Sequence, residues 1–158
     1  MIDLTSPPLR FVQAQWGRDS QQLCDIRKTV FIDEQGVSED EEWDGKDQSA
    51  RHFCVEYCAK PQPSVIGCAR IVDETWRGNR GLHIGRVAVI KNWRKQGVGR
   101  YLMSSMLDWC AAPRRSQCPV FLHSQIDAMA FYQKLGFEPV SDEFMDAGIP
   151  HRTMLLNK

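Results

Sequence analysis

One segment constrains this chain more than any other. From His83 to Ile90 the sequence becomes almost unbroken in apolar character, the mark of a strand buried near the centre of a sheet. It runs into a loop rich in Lys, Arg and Gly, residues 91–99. A helix follows, with Val98, Leu102, Met106, Trp109 and Cys110 on one face. A buried strand, a glycine loop and a helix in direct succession call for a sheet with a helix packed on it. The loop also has a chemical consequence. The first N–H groups of a helix lack intrahelical acceptors, so such a helix start attracts anions. Gly97 and Gly99 remove Cβ atoms that would hold a phosphate off the backbone, and Arg94, Lys95 and Arg100 add positive charge at the same point.

Two familiar phosphate loops fit poorly. A Walker loop needs GxxxxGK[ST], which the chain lacks. A dinucleotide fingerprint needs GxGxxG, but Leu102 stands at the third position and no acidic residue ends the next predicted strand.

The flanking chain supplies the rest of the sheet. Residues 10–16 alternate weakly as a first strand. Asp19 or Ser20 can cap a helix carrying Leu23, Ile26 and Val30 on one face. Residues 31–47 read as acidic and irregular. Phe53, Val55 and Tyr57 alternate as a second strand, Pro61 and Pro63 mark a turn, and residues 65–72 complete a hairpin-like pair. Residues 77–81 read as a loop before the buried strand. Pro113 closes the glycine-loop helix, residues 120–123 form a fifth strand, and a helix over 126–135 ends at Gly136. Phe137 opens another strand and residues 153–156 form a last one. This order predicts an α/β (α+β) architecture in one domain over residues 1–158, a mixed sheet of about six to seven strands flanked by about four helices.

Charge and composition narrow the function classes. Lys plus Arg and Asp plus Glu are 20 each, and beyond the glycine loop the nearest basic pair is Arg114-Arg115. That balance gives no support to a nucleic-acid binder. No stretch approaches the ~20 apolar residues that span a bilayer. Residues 1–8 show neither a basic nor an apolar leader region, so a cytoplasmic location is the default expectation. Cys24, Cys54, Cys58, Cys68, Cys110 and Cys118 contain no CxxC and are expected to be small buried thiols. His52, Cys54 and Cys58 invite a metal reading. In a strand, however, the two thiols lie ~13 Å apart, too far for one zinc.

Downstream, Gln125-Ile-Asp-Ala128-Met-Ala-Phe131-Tyr132-Gln-Lys134-Leu-Gly136-Phe137 follows the fifth strand. Together with Arg94-x-x-Gly97-x-Gly99 after Val87-Ala88-Val89, this resembles the GNAT N-acetyltransferases. The first segment is similar to their motif A, the second to their motif B, N-x-x-A-x-x-F-Y-x-K-x-G-F, with Gln125 in place of the usual Asn. Ile26-Arg-x-x-Val-Phe31, Glu34-Gln-Gly-Val37, Asp44-Gly and Phe144-Met-Asp-Ala-Gly-Ile-Pro-His151-x-x-Met154 look like the ElaA-type branch.

The resemblance implies a GNAT fold and acetyl-CoA as cofactor. It implies cofactor-binding roles for Val87, Ala88, Val89, Arg94, Lys95, Gln96, Gly97, Val98, Gly99 and Arg100, and for Gln125, Ala128, Tyr132 and Lys134. Backbone groups of Val87 and Val89 would pair with the pantetheine arm, and an N–H there would meet an oxyanion. The reaction would carry an acetyl group to an amine of a small molecule or peptide. No membrane or nucleic-acid partner is implied, and a homodimer is an arrangement common in the family. Tyr132 is the candidate acid, since a phenol of pKa ~10 is protonated at neutral pH. Its alternative is a core aromatic like Phe131. Three side-chain candidates for the base stand beside the alternative of water or another group. His83 lies where some relatives carry a catalytic histidine, His123 lies near the expected splay of strands four and five, and Glu34 lies on the segment that borders the acceptor. The carboxylates of residues 33–47 would favour a cationic acceptor if they edge the cleft, and otherwise form a solvated loop. His151 either reaches the acceptor pocket or caps a turn. The competing classes are a non-catalytic acyl-CoA sensor and acyl transfer through a cysteine. The second lacks any recognisable thiol–base motif.

Overall fold

The structure is a computed structural model, described over residues 8–59 and 61–158; residues 1–7, read above for a leader, lie outside the described residues. Alternation builds the first half of the sheet. Strand β1 (Leu9–Ala14) pairs antiparallel with β2 (Arg51–Tyr57), β2 with β3 (Ser64–Trp76), and β3 with β4 (Asn79–Val89). Along β2, Phe53 and Val55 enter one buried cluster while Cys54 enters another. Both faces therefore need a helix layer.

Helix α1 (Trp16–Arg27) covers one face with Leu23 and Ile26 against Cys54, Cys68 and Ala88. A second helix covers the other face. It spans Val98–Cys110, and its Val98, Leu102, Met103 and Met106 pack with Phe53, Val55 and Ile71. Full burial of such side chains contributes about 1.5–3 kcal/mol each.

Between them in sequence lies a short helix, Glu39–Glu42. In chain order these three helices are α1, α2 (Glu39–Glu42) and α3 (Val98–Cys110), and α4 is Met129–Lys134. Strand β5 (Val120–Gln125) runs parallel to β4; β8 (Ile149–Leu156) runs antiparallel to β5 and also pairs with β6 (Phe137–Pro139) and β7 (Phe144–Asp146). The sheet order is β1-β2-β3-β4-β5-β8-β6, with β7 on β8.

The sheet has eight strands among the described residues rather than the expected six or seven. The additional strand, β7, is three residues long, too short to show a period. Residues 77–81 are not a loop. Arg77 and Gly78, with φ of 48° and 84°, form a two-residue turn, and β4 starts at Asn79. Helix α1 starts before Asp19. Its side chain reaches back to accept the N–H of Gln15 at 2.9 Å, so the carboxylate caps from inside the helix. The 31–47 region is more ordered than its sequence suggests, since α1 continues as a π-helix over Lys28–Glu34 and α2 follows. All six cysteines are free, but only Cys54, Cys68 and Cys110 are buried; Cys24, Cys58 and Cys118 are half-buried. Among the described residues no helix is long and apolar enough to cross a membrane.

Candidate active site

The site begins where β4 and β5 part. Their parallel pairing runs from Leu82–Val120 to Ile84–Leu122 and stops there. Beyond that point β4 carries a bulge. Between the pairs Cys68–Ala88 and Arg70–Gly85, β3 advances two residues and β4 three. The extra residue turns the strand, and Arg86 takes a φ of 51°. A cavity of about 510 Å³ opens at the parting, lined by Val87, His83, His123, Gln125, Ala128 and Tyr132 among others.

Tyr132 is 8% exposed, and its hydroxyl has no hydrogen-bond partner among the described residues. Burial pushes the phenol up to about 12, so it keeps its proton at neutral pH. Across the cavity, His83 Nδ1 lies 2.6 Å from Glu74 Oε2. An ionised carboxylate only accepts, so Nδ1 carries the hydrogen and Nε2 keeps a lone pair. Burial, helped by the neighbouring His123, pushes His83 down to about 4. The ring stacks on Phe121 at 4.6 Å and meets His123 edge-on at 4.5 Å. His123 Nδ1 is 2.9 Å from Thr153 Oγ1, and burial lowers its pKa as well. His151 lines the cavity, and its Nδ1–H donates to the Ile149 carbonyl at 2.6 Å within β8 rather than capping the Ala147-Gly148 turn.

The glycine loop stands apart from these groups. Arg94, Lys95, Gln96, Gly97 and Arg100 are exposed at the start of α3, whose first-turn N–H groups have no intrahelical acceptors. Gly97 has a φ of 86°, and a Cβ there would meet nothing within 4 Å, so its backbone angle is what calls for glycine. At Gly99 an added Cβ would meet the Phe131 ring at 3.5 Å, an ordinary contact. The side chains of Val98 and Ala88 are buried in the two cores, which leaves only their backbones for a ligand. Val89 is half-buried, and Lys134 is exposed at the end of α4. Arg94 donates through Nε to the Val89 carbonyl at 2.9 Å and through Nη2 to Glu34 at 2.8 Å. Glu34 is therefore joined to the glycine loop and is not among the cavity-lining residues. Its neighbour Gln35 accepts from Gln125 Nε2 at 2.9 Å.

Four of the eight carboxylates in residues 33–47, Glu34, Glu42, Asp44 and Asp47, are committed to arginines. Arg27 is 2% exposed and bonds Glu42 at 2.8 Å and Asp47 at 2.7 Å. Arg70 bonds Asp44 through both its terminal nitrogens and Asp47 at 2.9 Å. Burial would raise Asp44 and Asp47, but these guanidinium bonds hold both below the usual carboxylate range. Neither expectation for this segment, a cleft edge or a solvated loop, describes it fully.

The ion cluster and Glu74 were not singled out from the sequence. Glu74 had a signal. Reading Arg77-Gly78 as a two-residue turn sets Val72 opposite His83, which puts Glu74 two residues along on the same face. The arginine pairs had none, because they join residues 15 to 45 positions apart.

The description "Acetyltransferase (GNAT) domain" matches residues 29–158. YyaT of Bacillus subtilis strain 168 is 36% identical over 139 residues, covering 86% of this chain and 87% of that protein. The same organism's "Uncharacterized N-acetyltransferase YjcF" is 33% identical over 149 residues, covering 91% and 99%. Among solved structures, Escherichia coli ElaA matches with a TM-score of 0.78 at 28% identity, over 94% of this chain and 99% of that one. A parted pair of parallel strands beside a glycine loop is thus the fold of an acetyltransferase. The chain belongs to the GNAT family and is of ElaA type.

Proposed function

We propose that the chain transfers an acetyl group from acetyl-CoA to a primary amine of a small molecule or peptide, by direct attack with both substrates bound. One observation carries the reading: the unpartnered Tyr132 hydroxyl shares a cavity with the His83 imidazole where β4 and β5 part. The residues fit the cofactor. The open first turn of α3, with Gly97 in the left-handed region and exposed Arg94, Lys95 and Arg100, suits a pyrophosphate. Among the described residues the edge of β4 beyond Ile84 has no strand beside it on the β5 side, so backbone groups of Val87 and Val89 suit amides of a pantetheine arm. Bound there, acetyl-CoA supplies an activated thioester.

The chain's own groups then divide the work. His83 is neutral at pH 7 and fixed by Glu74, so Nε2 can accept a hydrogen bond from the attacking amine, directly or through a water; at about 4 it is a weak base, so it passes the proton on to water rather than holding it. Glu34 is engaged by Arg94, and the Thr153 hydroxyl, which can donate or accept, does not fix the His123 tautomer, whereas the Glu74 carboxylate holds the His83 lone pair at Nε2; this favours His83 as the base. A backbone N–H of the β4 bulge serves the oxyanion. Tyr132, at about 12, faces a leaving thiol of pKa ~8.5, so full proton transfer is several kcal/mol uphill. Its role is therefore a hydrogen bond to the departing sulfur. The cations lining the cavity, Lys46, Arg70 and Arg86, are each within 3.3 Å of a carboxylate of this chain. That arrangement suits an amine better than an anionic acceptor.

The test is thiol release from acetyl-CoA over a panel of primary amines, beside melting curves. Saturating cofactor at ~100 times its dissociation constant adds about 2.7 kcal/mol, or roughly 5–10 °C. Product with any amine supports the reading. A shift with no product across the panel overturns it in favour of an acyl-CoA-binding module. No shift removes the cofactor assignment.

A further inference from the structure

Four described residues other than glycine have positive φ, namely Arg77, Arg86, Lys95 and Ala147. Arg77, Lys95 and Ala147 lie in turns, but Arg86 lies inside a strand. L side chains rarely adopt this conformation, and inside a strand it persists only when the surroundings enforce it. The enforcing contacts come from one place. Arg86 Nη2 donates to the carbonyls of Glu42 at 3.0 Å and Glu41 at 3.2 Å, and lies 3.3 Å from Asp44 Oδ2. Its Nε lies 3.0 Å from Glu42 Oε2. Glu42 is itself only 2% exposed and is held from its other side by Arg27. Below the bulge, Arg70 stands on β3 opposite Gly85 and clamps Asp44 and Asp47.

Stability does not account for this cluster. Desolvating two charges offsets most of their attraction, so a buried ion pair is weak evidence of a stabilising device. Geometry accounts for it better. The side-chain hydrogen bonds and ion contacts of Arg86 run from the bulge to Glu41, Glu42 and Asp44, which line the same cavity.

We infer that Arg86 and Glu42 are a positioning pair: their contact fixes the β4 bulge, and with it the backbone N–H at Val87 that serves the oxyanion. The inference rests on the acetyl-transfer reading. It also ties the thioester side of the cavity to the acceptor side, so a disturbance at Glu42 reaches the reacting carbonyl without touching it.

The test uses the full chain with Glu42→Gln, Arg86→Gly, Arg86→Lys and the Glu42→Gln/Arg86→Gly double variant. Glycine adopts a φ of 51° freely, so Arg86→Gly keeps the backbone allowed while removing the pin. Turnover with an accepted amine is measured beside coenzyme A affinity by calorimetry and the urea midpoint. We expect kcat to fall about ten- to a hundredfold in Glu42→Gln and Arg86→Gly, with coenzyme A affinity within about threefold. The double variant should fall by less than the product of the two single falls, because the variants share the Arg86–Glu42 contact while each also loses partners of its own. Arg86→Lys should recover part of kcat. Folded variants that turn over like wild type overturn the pairing. So does a fall in coenzyme A affinity that parallels the fall in kcat, the signature of a merely structural role. If Arg86→Gly does not fold, Glu42→Gln, which is nearly isosteric, decides the same question. A wild-type chain that makes no product with any amine removes the acetyl-transfer reading and the pair's role together.

Discussion

Two regions beside the parted strands are built on opposite rules. The glycine loop at the start of α3 is exposed, and its decisive property is one backbone angle at Gly97. The ionic region is largely buried, with Arg27, Arg70 and Arg86 matched to Glu42, Asp47 and the more exposed Asp44. The first can be specified within a few residues, because a helix start supplies the N–H groups wherever it occurs. The second exists only after the chain has folded. A loop set by local rules suits an invariant phosphate. A wall set by long-range pairs can differ from one relative to the next, and that is where an acceptor would be chosen.

The comparison breaks first at Tyr132, which belongs to neither region. Tyr132→Phe removes only the hydroxyl facing the cavity. Loss of a general-acid or hydrogen-bond donor costs about a hundredfold or more in kcat, with acetyl-CoA affinity nearly unchanged. Steady-state kinetics beside coenzyme A calorimetry separate the two. Equal turnover across the pH range would return Tyr132 to the role of a core aromatic.

Gly97→Val sharpens the contrast. Valine in the left-handed region costs roughly 1–2 kcal/mol, and its side chain would stand where a phosphate must approach the backbone. The Michaelis constant for acetyl-CoA should rise about tenfold or more, while kcat at saturation stays within about threefold. This is the reverse of the pattern expected at Glu42. If both variants affect the same constant, the two regions are not independent.

How much of this could be read from the sequence follows the same division. The run from Val87 to Leu102 announces a strand, a glycine loop and a helix, and the structure has all three. The motif around Tyr132 announces a helix entering a strand, and α4 and β6 follow in that order. These are local patterns with their own periods. What escaped was tertiary. Nothing near Arg86 signals a positive φ, since arginine has no preference for it. Glu42 sits in a run of acids that looks solvated, yet it is 2% exposed because Arg27 and Arg86 reach it from distant elements. Burial of a charge is decided by its partner, and the partner is invisible until the sheet is assembled.

The smallest expected effect is on stability, where the two kinds of group give two pH windows. Burial pushes His83 down to about 4 and lowers His123 and His52 as well. In the unfolded chain each returns to ~6.5, so the unfolded state binds more protons just below that value. Stability should therefore fall as pH drops from about 6.5 towards 4. Asp44 and Asp47 are held low by arginines despite their burial. Their contribution is complete above the unfolded value of ~3.9 and is lost as pH falls below it. Glu42 opposes this, because burial raises it and its share declines as pH rises through the ordinary glutamate range. Urea midpoints followed from about pH 7 to about pH 3 should fall in two stages. His83→Gln should flatten the upper stage and Asp44→Asn the lower. A single stage confined to the lower window would mean that the imidazoles titrate in the folded chain much as they do in the unfolded one. The neutral, Glu74-fixed His83 on which base catalysis depends would then be lost.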